Sequence, residues 1–153
     1  MIPASKGDFT ITTDQKDFDF EMLFQYLSKE SYWAEGIPMS VLKKAVSNSM
    51  SFALFFKNEQ IGFARVITDY STFGYLADVF IIHEYRGQGL SRWLMDYISA
   101  HPELQGFRRW LLATRDAHGL YAKYGFTPLS KPERMMEITR PDIYKSNARP
   151  KEK

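Results

Sequence analysis

The sequence predicts a mixed α+β fold, a central and mostly antiparallel β-sheet flanked by helices. Three observations carry that expectation. The apolar period is helical as far as Val46 and becomes extended from Phe52, where three strand-like runs follow one another. A glycine-rich turn, Arg86-Gly87-Gln88-Gly89-Leu90-Ser91, joins the last of these runs to an amphipathic stretch. Another apolar run, Trp110 to Ala113, comes next, so a strand–helix–strand crossover supplies one parallel pair.

Taken in order, Phe9 to Thr13 reads as a short strand. Asp14 or Asp17 can then cap a helix carrying Phe18, Met22, Leu23, Tyr26 and Leu27 at helical spacing. Ser31 to Pro38 forms a loop with an aromatic start. Ser40 stands as the cap of a second helix with Val41, Leu42, Ala45 and Val46 on its apolar side. Phe52 to Phe56 and Ile61 to Ile67 make a hairpin around Lys57-Asn58-Glu59-Gln60, and Tyr75 to Ile82 extends it into a meander. After the glycine turn, Leu90, Trp93, Leu94, Tyr97 and Ile98 line a helix that ends near His101-Pro102. A short helix through Ala117, Leu120, Tyr121 and Tyr124 closes at Gly125, and Met135 to Thr139 is the expected last strand.

At 153 residues the chain has the length of one domain, able to bury a core without crosslinks. The expected division is a single domain over 1–144 and a basic tail over 145–153, where Lys145, Arg149, Lys151 and Lys153 face only Glu152. Cysteine is absent, which removes disulfides, thiolate zinc sites and any cysteine nucleophile. The formal charge is +2, and the tail reads as a solvated terminus rather than a nucleic-acid contact. With no apolar run of membrane-spanning length and no signal-like start, the expectation is a cytoplasmic protein with no membrane and no nucleic-acid partner. No His/Asp/Glu cluster has metal spacing, so no metal is expected. A homodimer is permitted, but no pattern specifies one.

Gly87 and Gly89 let the backbone reverse from strand to helix and bring amide groups close to an anion. The helix beginning at Leu90 adds its unpaired donors and positive dipole end, and Arg86 adds a charge. The corner formed by Arg86, Gly87, Gln88, Gly89, Leu90 and Ser91 therefore suits a phosphate or pyrophosphate. A dinucleotide fingerprint would need glycine where Arg92 stands, and a Walker loop would need a Gly-Lys-Ser/Thr ending.

Val79 to Ser91 strongly resembles motif A of the GCN5-related N-acetyltransferase (GNAT) family, Arg/Gln-x-x-Gly-x-Gly/Ala after an apolar strand. Arg86 and Gly89 match, and Ser91 fills the last small position. Asp116 to Phe126 resembles motif B, Ala-x-x-x-Tyr-x-x-x-Gly-Phe, and the two motifs occur in the right order. The resemblance implies a splayed sheet and acetyl-CoA as cosubstrate, without a metal. It implies that pantetheine pairs with the backbone of Phe80, Ile81 and Ile82, whose amides also face the oxyanion. Thr114 stands where relatives place an asparagine that contacts pantetheine.

The resemblance makes Tyr121 the general acid for the leaving thiolate. Asp78 alternates with Leu76 and Phe80, so it is expected on their side of the strand, either as general base or as a hydrogen-bonded structural carboxylate. Glu84 reads as solvated. Tyr32, Trp33 and Glu35 come from the region that shapes the acceptor pocket in relatives, and Tyr70 is a candidate for the same cleft. The implied activity is acetylation of a primary amine, with a small molecule as acceptor. A protein N-terminus or lysine is the close variant, and a non-catalytic acyl-CoA-binding module is the alternative from another class.

Overall fold

The chain lays six strands side by side in sequence order: β1 (Ser5–Lys6), β2 (Phe9–Thr12), β3 (Met50–Phe56), β4 (Glu59–Thr68), β5 (Phe73–Ile81) and β6 (Arg109–Leu112). This computed structural model describes residues 2–147. Neighbouring strands are antiparallel except β5 and β6, which are parallel as the crossover requires.

The central strands are apolar on both faces, so both faces need cover. On one, α1 (Phe20–Phe24), prolonged by a π-helical stretch over Gln25–Glu30, and α2 (Met39–Ser47) bury Leu23, Leu27, Leu42 and Val46 against Phe63 and Phe80. On the other, α3 (Leu90–Ser99) packs Trp93, Leu94 and Ile98 over Phe52, Leu54 and Ala64. The short α4 (His118–Ala122) adds Tyr121 to that second cluster.

Several local expectations change. Asp19, rather than Asp14 or Asp17, caps α1 by accepting the Met22 N–H at 3.1 Å. A 3-10 turn over Gln15–Asp17 occupies the earlier stretch, and Asp14 caps that instead. Ser40 is already inside α2, which begins at Met39 after the extended Pro38. Met135 to Thr139 is not part of the sheet. Met135 has strand-like dihedrals, φ −97° and ψ 136°, but the segment forms no ladder with β6 and passes over the surface. It leads into α5 (Ile143–Asn147), where Tyr144 lies against the Gly36 backbone. Lys145 is thus in a helix, paired with Glu35 at 3.3 Å and Asp142 at 3.5 Å. Arg149, Lys151, Glu152 and Lys153 lie outside the described residues. Among the described residues, no helix is long and apolar enough to cross a membrane.

Two irregularities in β5 position the site. Its parallel pairing with β6 covers only Phe73 to Leu76 against Arg109 to Leu112. From Ala77 to Ile81 it has β4 on one side and no strand on the other, so the sheet parts there. A bulge also interrupts the β4 ladder. Phe63 pairs with Phe80 and Arg65 with Ala77, so Asp78 and Val79 together oppose Ala64, and Asp78 takes a left-handed φ of 55°. The inserted residue resets the alternation of side chains. Leu76 joins the core under α3, whereas Phe80 joins the core under α1 and α2. The expectation that Asp78, Leu76 and Phe80 share one side therefore fails.

β4 approaches the unsupported half of β5 closely at Gly62. A Cβ there would lie 2.7 Å from Ile81 Cδ1 and 3.0 Å from the Phe80 carbonyl oxygen. Gly62→Ala should cost about 1–3 kcal/mol of stability in urea denaturation, the usual range for overpacking.

Candidate active site

The glycine turn lies at the far end of β5. Gly87 and Gly89 have φ of 82° and 80°, and a Cβ on either would meet nothing within 4 Å. The turn therefore borders open space that a side chain would intrude upon. Gly89 caps α3 without a side-chain bond, and the first bond into the helix runs from the Trp93 N–H to the Gly89 carbonyl at 3.1 Å. Among the described residues, the backbone N–H groups from Gly87 to Arg92 have no protein acceptor. A row of such donors at a helix start suits a pyrophosphate. Leu90 itself is buried, Ser91 sits in the first turn, and Gln88 donates to the Tyr85 carbonyl at 3.3 Å.

Arg86 does more than add charge. Its Nε donates to the Ile81 carbonyl at 2.8 Å and its Nη2 to the Tyr26 hydroxyl at 3.0 Å. Tyr26 in turn stacks on Phe80, ring centroids 3.8 Å apart and planes 6° from parallel. Burial raises the Tyr26 phenol pKa, partly offset by the Arg86 charge. The arginine thus ties the π-helical stretch to the end of β5.

The three strand residues differ in what they present. The Ile82 N–H donates to the Ile61 carbonyl at 2.9 Å, which sets the phase of the ladder. Backbone groups alternate sides along a strand, so those of Phe80 and Ile82 face β4 while those of Ile81 face the gap. The Ile81 carbonyl is held by Arg86, and its N–H points into the opening.

Asp78 stands on the α1/α2 side of the gap. Its Oδ1 accepts the Trp33 indole N–H at 2.7 Å and its Oδ2 accepts Arg65 Nε at 2.6 Å, with only 10% of its side chain exposed. Arg65 also donates to Ser49 Oγ at 2.9 Å. This ion pair keeps a carboxylate close to the core and fixes the otherwise half-exposed Trp33.

Tyr121 approaches from the other face. Its ring is buried, its hydroxyl has no hydrogen-bond partner among the described residues, and the oxygen is not sealed from solvent. Burial foremost, and then the nearby Tyr32 phenol, pushes the Tyr121 pKa up to about 12. Tyr32 is covered by the Arg115 guanidinium, 3.7 Å from its ring centroid, and meets Trp33 edge-on at 5.0 Å. The structure therefore gathers Tyr26, Tyr32, Trp33, Asp78 and Tyr121 around the parting of the sheet.

Other expected residues do different work. Thr114 Oγ1 accepts the Ala117 N–H at 3.0 Å, in the turn that precedes α4. Glu35 turns to Lys145. Tyr70 donates to Met50 Sδ at 3.8 Å, on the face opposite Asp78. Arg65, Tyr26 and Arg115 were not singled out from sequence. Arg65 carried a signal, since it alternates with Phe63 and a charge on that face needs a partner. Among the described residues, no His, Cys, Asp and Glu group is placed to hold a metal.

The model of the acetyltransferase (GNAT) domain matches residues 47–128, which contain β3 to β6 and the glycine turn. A Gibberella zeae protein named as a candidate acetyltransferase is 32% identical, over 78% of each chain. The crystal structure of a candidate GNAT-family acetyltransferase from Xanthomonas campestris pv. campestris is 47% identical, with a TM-score of 0.87 over 89% of this chain and 96% of that one. An Elizabethkingia anophelis GNAT acetyltransferase with acetyl-CoA bound shares the fold at 15% identity, with a TM-score of 0.59 over 80% and 78% of the two chains.

The Tyr121 environment predicts a pH effect with a definite sign. Its folded pKa is about 12, whereas an exposed tyrosine titrates near ~10. Between those values the unfolded chain loses the proton that the folded chain keeps, so this group's contribution to stability falls as pH rises. The melting temperature of the native chain relative to Tyr121→Phe should therefore drop between about pH 10 and pH 12 and stay constant below about pH 9.

Proposed function

The chain belongs to the GNAT family of acetyltransferases, and we propose that it moves the acetyl group of acetyl-CoA to a primary amine on a small molecule. The observation that carries this reading is the parting of β5 from β6 beyond Leu76, with the unpaired N–H row of Gly87 to Arg92 at its end. When bound, acetyl-CoA supplies a thioester whose carbonyl carbon takes the amine nitrogen, so that a C–N bond forms, the C–S bond breaks and a thiol leaves.

Each residue then has a task that its position allows. The Gly87–Arg92 amides hold the pyrophosphate, and the Ile81 N–H hydrogen-bonds in the gap as an adjacent strand would. Tyr121 keeps its phenolic proton at any ordinary pH and donates it toward the departing sulfur. Tyr32 and Trp33 form an aromatic wall that an alkyl amine packs against, with Asp78 as the negative charge beneath it. Both Asp78 oxygens already accept strong donors, so its first task is to hold Trp33 and draw in the ammonium group. The amine's proton then leaves to this carboxylate or to water beside it.

A panel of small amines and peptides with acetyl-CoA, read by released thiol, tests the reading. Small amines should be turned over, and Tyr121→Phe should lower kcat by about 10²-fold with little change in KM. Gly89→Asp places a carboxylate in the cradle and should weaken acetyl-CoA binding by at least about tenfold, or ~1.4 kcal/mol, in calorimetry. Turnover of peptides alone would overturn the small-molecule acceptor. Absence of turnover on every amine would overturn catalysis.

A further inference from the structure

Arg115 brings a charge to the opening that the protein does not match. Asp78 is balanced by Arg65 at 2.6 Å, and Glu35, on the loop that carries Tyr32 and Trp33, pairs with Lys145 at 3.3 Å. Among the described residues, no carboxylate lies within ion-pair distance of Arg115, its neighbour Asp116 included, and its guanidinium donates no hydrogen bond. It is exposed to solvent.

This arginine is nevertheless held in place. Its guanidinium carbon stands 3.7 Å from the Tyr32 ring centroid, a contact that fixes the charge without using its N–H donors. Tyr32 meets Trp33 edge-on at 5.0 Å, and Trp33 donates to Asp78 at 2.7 Å. One aromatic pair thus lies between a positive charge at the rim and a carboxylate beneath. The loop bearing the pair is braced by α5, since Tyr144 lies on Gly36 and Lys145 holds Glu35. The Tyr32 phenol is also near that of Tyr121, so Arg115 belongs to the Tyr121 end of the opening.

We infer that Arg115 determines specificity by receiving an oxyanion, carboxylate or phosphate, carried by the amine acceptor itself. The ammonium group lies over Trp33 toward Asp78, and the short linker between the two charges packs on the aromatic pair. A guanidinium fork takes either oxyanion through paired N–H donors. The inference rests on the small-amine reading and narrows it to amines that also carry an anion. A polyamine would instead set a second positive charge against Arg115.

Matched acceptors test this with acetyl-CoA at saturation: α-amino acids, β-alanine and γ-aminobutyrate, their carboxamides, the alkylamines without the acid, and the matching aminoalkylphosphonates. The anionic amines should exceed their uncharged counterparts in kcat/KM by at least about tenfold, the usual scale of a charge-assisted contact. Arg115→Ala should erase that preference through KM, with acetyl-CoA binding unchanged in calorimetry, and Arg115→Lys should keep part of it. Preference for carboxylates assigns amino acids as the class, and preference for phosphonates assigns aminoalkyl phosphates. Equal turnover of acids and amides, or a preference that survives Arg115→Ala, would overturn the inference and leave the small-amine reading standing. Weaker acetyl-CoA binding by Arg115→Ala would overturn it by making the arginine a cosubstrate contact. If no amine turns over, the small-amine reading falls, and the subsite is read without chemistry. Titrating β-alanine, γ-aminobutyrate and their phosphonates into the ¹⁵N-labelled chain should then move the Arg115 Nε–H and Trp33 Nε1–H resonances saturably, and Arg115→Ala should abolish the Trp33 shift. No saturable shift would overturn the subsite as well.

Discussion

The architecture turns on a mismatch of strand lengths. β5 has nine residues and β6 only four, so their parallel pairing ends at Leu76 and Leu112. Hydrogen-bonding groups on the rest of β5 then face an opening instead of a neighbour, and backbone amides are stable there only with a partner. Arg86 satisfies the Ile81 carbonyl and leaves the N–H directed into the gap. A 3-10 turn over His83–Tyr85 leads to the glycine turn, so free donors stand on the strand at Ile81 and again at the start of α3. An acyl-CoA molecule, with an amide-bearing arm and a pyrophosphate, is chemically suited to donors so placed.

The two walls of the opening are held by different forces. On the α1/α2 side the bulge at Asp78 aims a carboxylate at Arg65 and Trp33 instead of at the core beneath α3. Breaking a nearly buried pair costs more than forming it contributes, so this arrangement chiefly specifies position. On the other side Tyr121 is held by packing within the α3 core, and the same burial that fixes its ring keeps its proton on. Arg115 over Tyr32 and Tyr32 near Tyr121 connect the walls at their rim.

What could be read from the sequence was what depends on local chemistry. Gly87 and Gly89 mark a turn because few other residues adopt their φ, and the stripe from Leu90 to Ile98 marks a helix by spacing alone. The crossover and the parallel pair followed from element order. The bulge could not be read, because one extra residue in β5 is defined only against the register of β4. That single residue moved Phe80 to the other face and gave Asp78 its partners. Met135 to Thr139 reads as a strand in the sequence and forms none in the structure, because pairing is a property of the neighbour as well as of the segment.

The central claim is that the N–H groups of Ile81 and Gly87 to Arg92 receive the cosubstrate. Titrating acetyl-CoA into the ¹⁵N-labelled chain and following backbone amide resonances tests it most directly. The account predicts that the largest shifts fall on Ile81 and on Gly87 through Arg92, with β1 and β2 unmoved. Saturable binding that leaves those amides unchanged would contradict it.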